Sequence, residues 1–393
     1  MTSEILIMTP NAIAMAADSV VTVSNKKTYE GVNKLFMLSN NPPMGIMIYS
    51  NANFFNFPME TIIKDFREKV KTLEKQFTTV KEFKTTFEQY LKKICESNNQ
   101  LFFRSIKDEI DFFVEDFKKE IENNGNILHQ IIPENLSIDL DKYVKKVNSV
   151  DFDSYFEEQV KELLDNSDEI TLLKKIFFEN KIYNQFTGVV ISGFNQDDLF
   201  PSSISFKIIT IDNSFVIEHI EENSVNKETS VVLTPFAKVD TITNFLNGID
   251  DSTAFQIITY FTNVIEEYSD KLIQVINSSN IIDSEKSFKL NEINEEKNKI
   301  CYDFSIFIDK LKKENHNPII KSMESLPKEE LANLSESLIN ITSMKLKVQD
   351  NLETVGGDVD VAIITKGDGF IWTKRKHYFD KALNPQFFRR HNY

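Results

Sequence analysis

The sequence predicts an α+β fold in which sheets and helices form separate layers. Two observations lead there: where glycine falls, and where the apolar spacing changes period. Of ten glycines, only Gly125 lies between residues 65 and 186, and none lies between 251 and 326. Glycine marks turns with positive φ or close backbone approach. The glycine-bearing stretches also carry short β-rich apolar runs, while the glycine-poor ones carry apolar residues at helical spacing. The order is strands, helices, strands, helices, strands, which is a layered α+β pattern and not alternating βαβ units.

The elements follow in order. Ile5 to Met8 and Ala12 to Asp18, around Thr9-Pro10-Asn11, read as a hairpin. Lys34 to Leu38 and Gly45 to Tyr49 are two further strands. Pro58 opens a helix whose Ile62, Ile63, Phe66 and Val70 share a face. Amphipathic helices continue through Phe83–Ile94, Ile106–Ile121 and Phe156–Leu164. Breaks fall at Asn98-Asn99, Asn123-Asn124-Gly125 and Pro133-Glu134-Asn135. Strands return at Gly188–Gly193, Ser203–Ile211, Phe215–Ile220 and Ser230–Leu233. A helical stretch from about Ser252 to Met344 breaks near Asn277–Asp283 and Asn315–Pro318. Val359–Ile364 and Phe370–Trp372, around Gly367-Asp368-Gly369, form the last strand pair.

Composition narrows the function. Hydrophobic residues make up 41%, enough for a substantial core. The net charge of −15, from 45 basic and 60 acidic residues, disfavours general nucleic-acid binding, which needs cations to displace counterions. Cys95 and Cys301 lie far apart with no ligand spacing, the pattern of ordinary thiols in a reducing, cytoplasmic setting. No metal motif is present, and neither a metal nor a cofactor is implied. No apolar run spans a bilayer. A secretory signal is rejected because Glu4 occupies the would-be basic region and Pro10-Asn11 interrupts the apolar stretch. Asp358 and Asp360 read as strand-end carboxylates in solvent. Lys374, Arg375, Lys376, Arg389 and Arg390 read as a solvated basic tail or a subunit contact.

The run Ala12-Ile-Ala-Met-Ala-Ala-Asp18-Ser-Val-Val-Thr22, followed by Asn33-Lys34-Leu35-Phe36, resembles the start of proteasome β-type subunits, a family of N-terminal-nucleophile hydrolases. Gly356-Gly357-Asp358-Val359-Asp360 through Gly369 resembles their late strand pair. The resemblance covers 2–64, 187–250 and 327–376 and implies a discontinuous core. Residues 65–186 and 251–326 then become helical insertions, and 377–393 a C-terminal tail. The fold implied is a four-layer αββα sandwich with both helical layers enlarged. In that family the mature chain begins with threonine, a carboxylate lies sixteen residues later, and a lysine sixteen after that. Thr2, Asp18 and Lys34 have those separations.

The chemistry explains the residue types. A threonine hydroxyl is a weak nucleophile and needs an adjacent base. A free α-amine, with a pKa near ~8, can take the hydroxyl proton close to neutrality. Thr2 must then be the first residue, and removal of Met1 would make it so. A buried Lys34 favours the alkoxide, Asp18 holds Lys34, and losing either partner costs about 3–5 kcal/mol. The resemblance places Ser50 where the family has the glycine that supplies an oxyanion N–H. Leu352 and Val355 stand where it has an aspartate and a serine, with Glu353 and Thr354 as neighbouring substitutes; Thr354 is the candidate support for the amine. The family's mid-chain serine aligns near Ala237, with Thr234 the closest hydroxyl.

The implied activity is hydrolysis of an amide bond through an ester on Thr2, with peptides as the substrate class and homo-oligomers as the assembly. No ATPase partner is identified by any motif. Two other functions are compatible with the residues: a catalytically inactive scaffold, and a small-molecule amidase or acyltransferase.

Overall fold

The computed structural model describes residues 3–23, 27–72, 77–124, 150–161, 163–164, 167–211, 214–237, 239–349 and 356–386. Its first strands are β1 (Ser3–Met8), β2 (Ile13–Ala17), β3 (Val21–Val23), β4 (Lys27–Tyr29), β5 (Leu35–Asn40), β6 (Pro43–Ser50), β7 (Asn53–Phe54) and β8 (Phe57–Pro58). Five helices follow among the described residues: α1 (Met59–Thr72), α2 (Val80–Ser97), α3 (Asn99–Asn124), α4 (Val150–Val160) and α5 (Ser167–Asn184). Then come β9 (Thr187–Phe194), β10 (Pro201–Ile211), β11 (Ser214–Ser224) and β12 (Val232–Ala237). The second helical block is α6 (Asp240–Asn247), α7 (Asp251–Ser278), α8 (Asp283–Met323) and α9 (Lys328–Gln349). The strands β13 (Asp360–Thr365) and β14 (Gly369–Lys374) close the order.

Two five-stranded sheets are present, ordered β12-β1-β2-β13-β14 and β11-β10-β9-β6-β5. Every neighbouring pair in them is antiparallel. The chain is thus a mixed helix-and-sheet fold with antiparallel sheets. The hairpins β3–β4 and β7–β8 have no counterpart in the sequence reading, because two- and three-residue strands leave no periodicity to read.

Strand β1 is buried along its whole length, and its residues divide by parity. Leu6 and Met8 join Met15, Met44, Ile46 and Ile48 in one cluster. Ile5 and Ile7 join Ala14, Ala16, Leu331, Leu338 and Ile339 in another. A strand with apolar surroundings on both faces needs the unbroken run Ile5 to Met8 rather than alternation. Helix α9 lies on β1, β2 and β13, and the small Ala14 and Ala16 let it approach closely. Helices α1, α2 and α5 contact β5, β9 and β10 of the other sheet.

Helix α8 runs unbroken through Pro318, where the sequence predicts a break near Asn315–Pro318. The chain turns only after Met323. Proline removes a single intrahelical N–H bond, and neighbouring contacts hold this segment in place. His316 Nδ1 lies 3.0 Å from Asn247 Oδ1, and Lys312 Nζ lies 2.7 Å from Asp251. These partners come from the start of the same helical block, some 60–70 residues earlier.

Candidate active site

The ends of β1, β2 and β13 and the residue before β5 bring charged groups to one buried place. Asp18 follows the last residue of β2 and is fully buried; Lys34 precedes β5 and is 1% exposed. Lys34 Nζ donates to Asp18 Oδ1. The same oxygen accepts the Ser3 amide N–H at 3.1 Å, and Asp18 Oδ2 accepts the Gly356 N–H at 3.2 Å. One carboxylate therefore ties together three segments far apart in sequence. Its backbone is also anchored, since Asp18 N–H donates to the Ser3 carbonyl at 3.2 Å and Ser19 N–H to the Gly356 carbonyl at 3.2 Å.

Gly357 sits at φ +70°, and a Cβ there would lie 2.4 Å from Ser19 Oγ. The left-handed backbone and the close approach both require glycine. The paired glycines thus let the loop before β13 lie against Ser19 and present the Gly356 N–H to Asp18.

Glu4 is an unforeseen member of the cluster. It is fully buried, and its Oε1 lies 3.4 Å from Lys34 Nζ. The sequence signal was a carboxylate at even parity with Leu6 and Met8 in an otherwise apolar strand. Burial pushes the nearby Tyr49 phenol well above its ordinary range, with Glu221 and Glu4 adding to the shift.

Asp360, paired in register with Ala17, completes the network. It is fully buried, which corrects its reading as a solvated strand end. Its carboxylate accepts from Arg375 Nη1 at 2.9 Å, Lys376 N at 2.8 Å and Lys376 Nζ at 2.5 Å. Arg375 also donates to the Leu35 carbonyl at 3.1 Å and lies 4.1 Å over the Trp372 ring. These two residues of the basic run are consequently structural and not a solvated tail. A buried carboxylate needs cationic partners, and the chain after β14 supplies them. Burial pulls the Lys376 ammonium below its usual range, and Asp360 opposes that shift. Arg389 and Arg390 lie outside the described residues.

The other predicted site residues divide. Thr2 and Thr354 lie outside the described residues, as do Leu352, Glu353 and Val355. The Ser3 amide nitrogen held by Asp18 is nevertheless the atom that links Ser3 to Thr2. Ser50 ends β6 opposite Thr187 with φ +67°, the left-handed region that glycine occupies without strain. Ala237, at φ +63°, pairs with Ser3, whereas Thr234 pairs with Leu6, three residues further along β1. A cavity of about 370 Å³ adjoins the network, with Ser19, Asn33, Phe36, Arg67, Trp372 and Lys376 in its wall. Among the described residues no set of three His, Cys, Asp or Glu side chains is placed to hold a metal.

No family model matches the chain, and no curated protein matches it. Several solved structures align along its length. "Anbu (ancestral beta-subunit) from Yersinia bercovieri" does so at 8% identity and TM-score 0.32, covering 100% of this chain and 94% of that one. The "Anbu (Gly-1) mutant from Hyphomicrobium sp. strain MC1" aligns at 10% and 0.33, with the same coverage. "Helical Assembly of the Anbu Complex from Pseudomonas aeruginosa" aligns at 8% and 0.30, covering 99% and 94%. TM-scores this low carry no argument for the function of this chain. The placement among proteasome β-type subunits, drawn from the motifs at its two ends, is corrected all the same. The structural neighbours named here are Anbu proteins, and no family model recognises those motifs.

Among the described residues no helix is long and apolar enough to cross a membrane.

Proposed function

We propose that the chain hydrolyses an amide bond with the Thr2 hydroxyl as nucleophile, once the Met1–Thr2 bond is cut. The observation that carries this reading is the buried Lys34–Asp18 pair, whose carboxylate also holds the amide nitrogen joining Ser3 to Thr2. A fixed cation beside the start of β1 is what a threonine alkoxide needs for stabilisation. The fold read with it is the four-layer αββα sandwich, its core formed by 2–64, 187–250 and 327–376.

In the first step the α-amine takes the Thr2 hydroxyl proton as Oγ adds to the substrate carbonyl carbon. The oxyanion is held by backbone N–H donors near Ser50. The C–N bond then breaks, the protonated α-amine gives its proton to the leaving amine, and an ester remains on Oγ. Water, deprotonated by the same amine, adds to the ester. The C–Oγ bond breaks, Oγ recovers a proton, and the acid departs. Thr354 supports the amine in this scheme. Peptides are the favoured substrates, the setting is cytoplasmic, and the protein self-associates.

A scaffold function is the second reading, favoured by Ser50 at the oxyanion position and Val355 at a support position. Intact mass before and after incubation with a peptide epoxyketone separates the two, because that reagent needs a free N-terminal amine beside a hydroxyl. Loss of Met1 with one adduct, absent in Thr2→Ala, is the expected result. Retention of Met1, or an adduct that persists in Thr2→Ala, would overturn the proposal. A panel of short peptides and simple amides then distinguishes a peptidase from a small-molecule amidase or acyltransferase.

A further inference from the structure

Helices α7 and α8 form a long antiparallel hairpin. Phe261 stacks on Phe304 with centroids 3.9 Å apart, and Lys286 reaches the Asn277 carbonyl at 3.3 Å. Very little of the hairpin is covered. In 28 residues of α7 only Ala254 and Ser269 are buried, and in 41 residues of α8 only Ile308 and Met323. Two helices that pack mainly on each other leave much of their apolar surface open.

The exposed surface of α7 is patterned. Ile257, Tyr260, Val264, Tyr268, Leu272 and Val275 are each between 38% and 73% exposed. They recur at spacings of 3, 4, 4, 4 and 3, which places them in one stripe about 120° wide. At its edge the stripe overlaps the α8-facing side, where Phe261 stacks on Phe304. Glu267 and Lys271 lie on or beside it, on stems long enough to carry their charges to solvent.

That spacing is a palindrome centred on Glu266, which itself points to the opposite side of the helix. If two α7 helices cross antiparallel about a two-fold axis at that point, every stripe residue meets a stripe residue. Ile257 meets Val275 of the partner subunit, Tyr260 meets Leu272 of the partner subunit, and Val264 meets Tyr268 of the partner subunit. Both aromatics then lie against aliphatic side chains. An isologous interface demands this reciprocity, in which residue i touches j and j touches i. The symmetric spacing lets the stripe pair with itself in this register.

The area is sufficient. With about 150–200 Å² for each complete side chain of these sizes, the stripe exposes roughly 500 Å² per chain. Two copies together hide about 1,000 Å², the lower bound for a specific interface, before α8 adds anything.

We infer that the α7 stripe is a homodimer interface, formed with a second copy of this chain in the antiparallel register centred on Glu266. This goes beyond the hydrolase reading and does not depend on it. The test uses the full chain, with Tyr260→Lys and Leu272→Glu as the variants. These positions are too far apart to pair within one helix and face each other across the two-fold axis. Sedimentation equilibrium should show reversible self-association of the wild type below about 100 µM, a modest demand for an interface of this size. Each variant should associate at least tenfold more weakly while keeping the wild-type helical circular dichroism. An equimolar mixture of the two should recover association. In the mixed dimer the introduced lysine of one chain faces the introduced glutamate of the other, and the second, symmetry-related contact is native. A monomeric wild type would hand the stripe to a different partner and overturn the inference. So would variants that associate as the wild type does, or a mixture that stays dissociated.

Discussion

Replacing Lys34 with methionine tests the buried network most directly. Methionine keeps most of the side-chain volume and removes the charge, so the loss is electrostatic and not a cavity effect. Lys34 is 1% exposed and faces two fully buried carboxylates, Asp18 in hydrogen-bond contact and Glu4 at 3.4 Å. Removing one partner of a buried pair costs about 3–5 kcal/mol, because the remaining charge stays desolvated. Lys34→Met takes the shared cation from two such carboxylates and belongs at the upper end of that range. Asp18→Asn leaves Lys34 with Glu4 as a partner but turns an amide donor toward either the Ser3 or the Gly356 N–H, which loses its acceptor; about 2–3 kcal/mol is expected. The two changes are not independent, and the double variant should cost less than the sum. Urea unfolding followed by fluorescence reads this region well, since Trp372 is the chain's single tryptophan and stacks on Arg375 of the adjoining network. A loss of less than about 1 kcal/mol for Lys34→Met, or greater damage from Asp18→Asn, would show that Lys34 is not the shared partner of two buried carboxylates.

Three further outcomes are expected. Ser50→Gly should stabilise the chain slightly, by up to about 1 kcal/mol, since it relieves a non-glycine residue at φ +67° at the expense of unfolded-state entropy; a fall in melting midpoint would contradict this. Gly357→Ala should destabilise by about 2–3 kcal/mol, from the positive φ and the 2.4 Å approach to Ser19 Oγ, and by moving the Gly356 N–H off Asp18 it should lower any amidase activity; unaltered thermal melting would exclude the tight packing described. At pH 8, alkylation with iodoacetamide should label Cys301 and spare Cys95, whose thiol is buried and pushed up to about 12 by desolvation, with Glu96 adding to it; thiolate content sets the rate, so equal labelling by mass spectrometry would show that α2 opens.

The alternation of sheet and helix is legible in the amino-acid order. Apolar run length, glycine placement and helical spacing are local properties, and they located the β1–β2 hairpin, the β5–β6 pair, the α1 start after Pro58 and the late β13–β14 pair. The family resemblance implied Asp18 and Lys34 as site residues, and in the structure they are hydrogen-bonded. How the buried charges are shared depends on the folded chain. Glu4 resembles any polar residue near a strand start until β1 is covered on both faces. Asp360 and the Arg375–Lys376 run read as solvated groups until β13 is laid beside β2 and the chain after β14 folds back. Pro318 reads as a helix end until Asn247 and Asp251, from the start of the same block, hold the surrounding turn. Each of these depends on which segments become neighbours across the fold. Burial converts an ordinary surface charge into one that must be paired, and no pattern within a single segment records that cost.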